Sequence, residues 1–372
     1  MTDRPPGEPM VNPVKPARRG WRWHIFAPVT ALALLFAAYS IYWFSVAGEV
    51  RTAVEEFAAR PGQGLVVGWR DFTVNGYPYR IEAGFENPAM SAPAAPESWA
   101  WQGEAAEFAL LPYNPRHLIV NLRGEQRFSY RDTRTAPPSP NEVRASAGTA
   151  WGSYVDIRDA PFGRLAIDIK DLDARHSRGA TGETDGLTAL RLQLHARPAE
   201  RENAAPVPGS YDVAIQADDI TLANGKTIAA LGGHVERVMA QARLRDVPAT
   251  PHASAVELLQ NWQETGGTLA ISDLVVKWGP LDLFASGELK LDALHRPEGQ
   301  LDAKVTGFEA LLEAMVRDRL VKEKDARIAL AGLTLVSQFQ GNRTDQVSVP
   351  VIMRNGRLYL GPLVVAALEP LY

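Results

Sequence analysis

The strongest pattern along the chain is an apolar run from Ile25 to Ala47, 23 residues without a charge. As a helix rising ~1.5 Å per residue it spans ~34 Å, enough to cross a hydrocarbon core of ~30 Å. Trp21, Trp23, Tyr39, Tyr42 and Trp43 sit toward its ends, where aromatic rings favour the membrane interface. The pattern then turns amphipathic. Val50, Val54, Phe57 and Ala58 recur at helical spacing through Gly48–Arg60, with Glu49, Arg51, Glu55 and Glu56 between them. This predicts a membrane helix over 25–47 continuing into a helical stalk over 48–60, stopped at Pro61-Gly62.

Beyond residue 61 the dominant pattern is alternation. Val66 to Val74 leads into Asn75-Gly76, a two-residue type I′ turn signal, and then Tyr77 to Phe85. His117–Leu122 and Gln126–Tyr130 read as two strands joined near Gly124. Leu165–Lys170, Leu190–Ala196 and Tyr211–Ala217 alternate apolar and polar, as antiparallel strands with one dry face do. Ala136–Asn141 and Ala204–Ser210 read as proline-rich loops. Two helices interrupt. One is capped at Ser254-Ala255-Val256-Glu257 and stopped at Gly266-Gly267; the other runs from Phe308 to Ala326. The predicted fold is mainly β with some α: an N-terminal transmembrane helix, then a curved antiparallel β-sheet with amphipathic helices over 61–372, with a possible subdivision near 248–254. A helix followed by a hairpin recurs at Val50–Phe85 and Ser254–Leu291, a faint internal repeat.

Charge sets the orientation. Residues 1–24 hold five basic and two acidic residues, a net of +3, so this tail is expected in the cytoplasm and the ectodomain on the other side of the membrane. Ser45-Val46-Ala47 offers a signal-peptidase alternative, but the apolar run is longer than a signal peptide's core. The remaining 34 basic and 41 acidic residues give the ectodomain a net of −7, with no electrostatic footprint for nucleic acid. The chain has no cysteine, so disulfides, thiolate metal sites and cysteine catalysis are excluded.

Candidate chemistry is sparse. No nucleophile elbow, P-loop or zinc-protease helix occurs. Asp168, Asp171, Asp173 and His176 are the one acidic-imidazole cluster, read as a solvated strand end rather than a metal site; no cofactor is implied. Aromatic residues are dense from Trp69 to Tyr113. They form either the core of the first sheet or an apolar groove for an acyl chain. If a groove exists, Phe72, Tyr77, Phe85, Trp99, Trp101, Ile167 and Leu192 are its candidate lining.

Three blocks resemble the domain of unknown function 2125 family of proteobacteria. They are Phe72–Arg80 with its Gly-Tyr-Pro-Tyr-Arg; Trp278-Gly279-Pro280-Leu281 with Gly287–Asp292 and Arg296-Pro297-Glu298-Gly299; and Asn355–Leu363. The family brings no established activity or site residues. More loosely, the anchor, the β-rich ectodomain and the closing block are similar to AsmA-like envelope proteins, whose curved sheets carry a greasy face implicated in lipid movement. The expected function is non-enzymatic: binding or passing a lipid or other apolar envelope component. A structural module for envelope protein partners is the alternative, and an enzyme of unknown class a remote third.

Overall fold

Long strands dominate the chain after the stalk because alternation, once started, runs on past the short segments that first reveal it. The computed structural model describes residues 23–60, 64–93, 98–132, 139–158, 160, 162–179, 183–200, 206–223, 231–248, 255–319, 321–340, 346–360 and 363–371. Helix α1 (Trp23–Ala59) is unbroken over 37 residues, so the expected membrane segment and stalk are one rod. Its Phe26–Ala59 portion is long and apolar enough to cross a membrane. Pro61 and Gly62 lie outside the described residues.

Then come β1 (Val66–Gly68), β2 (Asp71–Asn75), β3 (Ile81–Glu86), β4 (Ala89–Ala92), β5 (Trp99–Leu111), β6 (Asn114–Asp132), β7 (Ser139–Ser146), β8 (Thr149–Val155), β9 (Arg164–Arg178), β10 (Glu183–Glu200), β11 (Pro206–Ala223) and β12 (His234–Arg245). After α2 (Ala255–Glu264) follow β13 (Thr268–Trp278), β14 (Leu281–Leu291) and β15 (Pro297–Thr306). Helices α3 (Phe308–Arg317) and α4 (Glu323–Phe339) precede β16 (Gln346–Arg354), β17 (Arg357–Leu360) and β18 (Leu363–Ala367). All eighteen strands form one antiparallel sheet. β1 and β2 lie end to end as one row, as do β3 and β4, and β7 and β8. The rows then follow chain order from first to last, each antiparallel to the next. A meander of this kind needs only short connections.

Several expectations are corrected by backbone geometry. The pair read as two strands about Gly124 is the single strand β6; Gly124 takes φ +71° and absorbs an extra residue as a bulge against Gly103–Ala105 instead of turning the chain. The Ala204–Ser210 loop is shorter than expected, because Pro206 to Ser210 already belong to β11. Residues 204 and 205 lie outside the described residues, as do 136–138 of the other proline loop, while Ser139 to Asn141 open β7. The helix expected over Phe308–Ala326 is two helices. α3 closes at Asp318 and Arg319 has φ +59°, a left-handed residue that ends a helix. For α2, Ser254 lies outside the described residues. Its C-terminus is a Schellman motif, with Gly267 N–H donating to the Trp262 carbonyl at 2.8 Å and Gly266 at φ +76°.

The hairpin at Asn75-Gly76 exists, but its turn is longer than two residues. β2 and β3 pair from Asn75↔Glu82, and Gly76 to Arg80 bridge them. Pro78 has no N–H to give to a ladder, which opens the loop. Gly76 sits at φ +100°, and a Cβ there would lie 2.6 Å from the Arg80 carbonyl oxygen. Gly76→Val should therefore cost about 1–3 kcal/mol through backbone strain. A thermal melt checks this, and an unchanged melting temperature would refute it. The type I′ turn occurs instead at Asn355 (φ +53°) and Gly356 (φ +69°), between the paired Arg354 and Arg357.

The core is divided between the two ends of the sheet. At the C-terminal end, Phe308 and Leu312 of α3 and Ala329 and Leu333 of α4 cover Ala285, Leu301, Ala303, Val305, Val347 and Val349. At the N-terminal end, Trp43 and Ala47 of α1 cover Ile81 and Val74.

Candidate functional site

Residues directly opposite in an antiparallel sheet share a face, so the register can be followed from row to row. Starting at Val74 it runs Ala83, Phe108, Val120, Gly152, Ile167, Leu194 and Ile215. It continues through Ala240, Leu274, Ala285, Ala303 and Val349. No polar side chain interrupts this line. At about 4.8 Å per strand, its twelve steps amount to a path of about 58 Å across the sheet. A second line, Ile169, Leu192, Ala217, Val238, Val276, Leu283, Val305 and Val347, lies beside it. A third runs Leu165, Ala196, Val213, Ala242 and Ile271.

The opposite face carries charge. Arg191 grips Asp168 with two hydrogen bonds of 2.8 and 3.0 Å, Arg237 meets Asp218 at 2.7 Å, and Asp212 lies between Arg197 (3.7 Å) and Arg243 (2.7 Å). The Arg191 hydrogen bond holds the Asp168 carboxyl below its ordinary pKa, against a smaller cost of burial. At Asp218 burial pushes upward, but hydrogen bonds from Arg237 and Gln216 outweigh it and the net shift is down. A carboxyl depressed in the folded state adds stability above its unfolded pKa of about 4, and this is lost as pH falls through the folded value. The melting temperature should therefore hold above about pH 5 and drop below about pH 4, less steeply in Asp168→Asn. Equal slopes for the two proteins would refute the assignment.

Cover distinguishes the parts of the apolar face. Under α3 and α4, Val347 is 0% exposed. In the middle rows no described helix lies over the sheet: Ile167, Leu192 and Leu194 are only half-buried, and Ile215 is 41% exposed. At the first rows, α1 stands off the sheet and leaves a cavity of about 470 Å³. Val50, Val54 and Phe57 of the stalk line one wall; Trp69, Phe85, Met90, Trp101 and Phe108 line the other. That volume lies in the range of small-ligand sites.

Of the residues singled out in the sequence, Phe85 and Trp101 line this cavity, and Ile167 and Leu192 lie on the open middle of the same sheet. Phe72 stacks on Phe85 at 4.7 Å under the Arg51 guanidinium, beside the cavity. Trp99 stacks on Phe128 at 6.1 Å. Tyr77 lies against α1, stacked on Phe44 at 5.4 Å and edge-on to Trp43 at 5.4 Å. The helix wall of Val50, Val54 and Phe57 was visible as an amphipathic stripe, but nothing in the stripe says which surface it faces. Leu194, Ile215 and Ala240 became candidates only through register.

Asp168, Asp171, Asp173 and His176 are not assembled as a site. Asp168 is held by Arg191, Asp173 pairs with Arg175 at 3.4 Å, and His176 stacks on Tyr130 at 6.2 Å. Asp171 takes φ +53°, which breaks the alternation that would have put it beside Asp173. Burial, with Arg178 adding to it, keeps His176 below its ordinary pKa. Among the described residues no three His, Asp or Glu side chains gather as a metal site.

The blocks that carry the family resemblance are fastenings. In Gly76–Arg80, Trp43 Nε1 donates to the Arg80 carbonyl at 3.0 Å, Tyr39 O–H donates to the Pro78 carbonyl, and the Ser40 and Tyr77 hydroxyls are 2.7 Å apart. This block clamps the sheet to α1. Arg296 bonds Asp292 twice, at 2.7 and 2.9 Å, and its guanidinium lies so close over Gly356 that a Cβ there would be 2.4 Å away. Trp278 Nε1 donates to the Gly232 carbonyl at 2.9 Å.

Fold and site together define a helix-tethered antiparallel meander with one charged face and one apolar face that, among the described residues, helices cover at its ends. The chain belongs to the DUF2125 family, described as an uncharacterized protein conserved in bacteria, whose profile matches residues 43–369. No curated protein and no solved structure matches it.

Proposed function

We propose that this chain is a non-enzymatic envelope protein that holds or passes lipid, or a similar apolar component, along the apolar face of its sheet. α1 would anchor it in the bacterial inner membrane with the N-terminus in the cytoplasm and the sheet in the periplasm. The observation that carries the reading is the unbroken apolar line from Val74 to Val349 whose middle, around Ile167 and Leu194, no described helix covers. Leaving such a surface bare is costly, and large exposed apolar patches mark interaction sites. The looser similarity to AsmA-like proteins points the same way, as fold-level analogy. A photo-crosslinking amino acid at Leu192, in cells, should yield adducts of lipid mass; one at the adjacent Gln193, on the charged face, should not. Lipid adducts at both positions or at neither would defeat the reading.

A second reading, a module for envelope protein partners, is favoured by one observation. Ile328, Leu335 and Phe339 of α4 are 63%, 54% and 84% exposed, beside a groove of about 750 Å³ between α4 and β16–β18. A crosslinker at Phe339 that captures a protein, with none of lipid mass at Leu192, would favour it.

A further inference from the structure

We propose that the loops 76–80 and 112–113 are seated in the outer-leaflet interface of the membrane that α1 crosses, so that the first rows of the sheet rest on the lipid surface. The inference rests on the reading of α1 as a membrane span and not on what the sheet carries. A span beginning at Ile25 needs about 20 residues to traverse the hydrocarbon and so ends near Phe44. The first loop lies alongside the last part of that span: the Tyr77 ring meets Phe36 at 6.3 Å and stacks on Phe44 at 5.4 Å. The second loop is held at the same level, where Tyr42 O–H donates to the Pro112 carbonyl at 3.2 Å.

Each loop then presents a tyrosine to the outside. Tyr79 is 81% exposed and Tyr113 is 80% exposed. A tyrosine ring with its hydroxyl suits the headgroup boundary, where one end is apolar and the other wet. The sequence around them matches: Pro78-Tyr79-Arg80 and Pro112-Tyr113-Asn114-Pro115-Arg116 each follow the tyrosine with an arginine. Arg80 pairs with Glu82 at 2.6 Å and Arg116 lies 3.9 Å from Asp156, and both guanidinium side chains stay about half exposed. Arginine is suited to lipid phosphate. The same seating would place the cavity between the stalk and the sheet directly above the lipid surface.

Because the chain has no cysteine, single probes can be placed without background. Tyr79→Cys, Tyr113→Cys, Leu32→Cys and Glu309→Cys, each in the full chain, would carry an environment-sensitive fluorophore. The proteins would be reconstituted in phosphatidylethanolamine–phosphatidylglycerol vesicles containing nitroxide-labelled lipid. Glu309 opens α3, beside the opposite ends of the strands. The expected result is loss of most fluorescence at 79 and 113 with a shallow nitroxide, loss at 32 with a deep one, and little loss at 309. Quenching at 32 without quenching at 79 and 113 would overturn the seating and leave the span intact. An unquenched probe at 32 would overturn both.

Discussion

Val347→Asn will unfold the C-terminal part of the sheet, whereas Leu192→Asn will leave the sheet folded and lower its lipid retention. Val347 is 0% exposed, packed in the cluster of Phe308, Leu312 and Leu333. Burying an amide there without partners should cost about 2–4 kcal/mol, a large share of a domain's net stability. Leu192 also has apolar cross-strand neighbours, Ile169 and Ala217, but is only half-buried and lies where no described helix covers the sheet. Water reaches an amide at that position, so the penalty shrinks to the lost apolar contact. Melting curves and extracted-lipid mass spectra of the two variants provide the check. Equal destabilisation by both would mean that the middle of the face is a closed core and would remove the lipid proposal.

Trp43→Ala should detach the first rows of the sheet from α1. Trp43 is 3% exposed, packs with Ala47 and Ile81, and is the donor that ties α1 to the Arg80 carbonyl. Truncating so large a buried side chain typically costs about 3–5 kcal/mol. Here that loss falls on one junction, so the distant rows under α3 and α4 should stay folded. Limited proteolysis should then cut rapidly between residues 60 and 81, while the fragment beyond remains resistant. Rapid cutting throughout the sheet would show that the junction and the far rows unfold as one unit, and an unchanged pattern would show that the clamp contributes nothing.

Local chemistry was enough to read some features. The 23-residue apolar run declares α1, because a charge-free stretch of that length, apolar around its full circumference, is long enough as a helix to cross a membrane. Alternation around Ile167, Leu192 and Ile215 declares strands with one dry face, since a period of two is set by the pleat itself. Gly266-Gly267 stops α2 through a backbone conformation that glycine alone adopts cheaply. Where the same signals failed, a neighbour decided. Gly124 looks like a turn until β5 pairs along both sides of it, and Asn75-Gly76 looks like a type I′ turn until Pro78 denies the ladder its donor.

The sequence by itself determined that there would be an apolar helix, long antiparallel strands and one apolar face on each. Those properties follow from periods of three to four and of two residues, which a short window contains. The tertiary structure was needed to show that the apolar faces join row after row into one surface, that Tyr77 and Trp43 clamp its first rows to α1, and that the described helices cover its two ends but not Ile167 and Leu194 between them. Register and cover arise from contacts between residues far apart in the chain, and no local periodicity encodes which distant surface a stripe will meet.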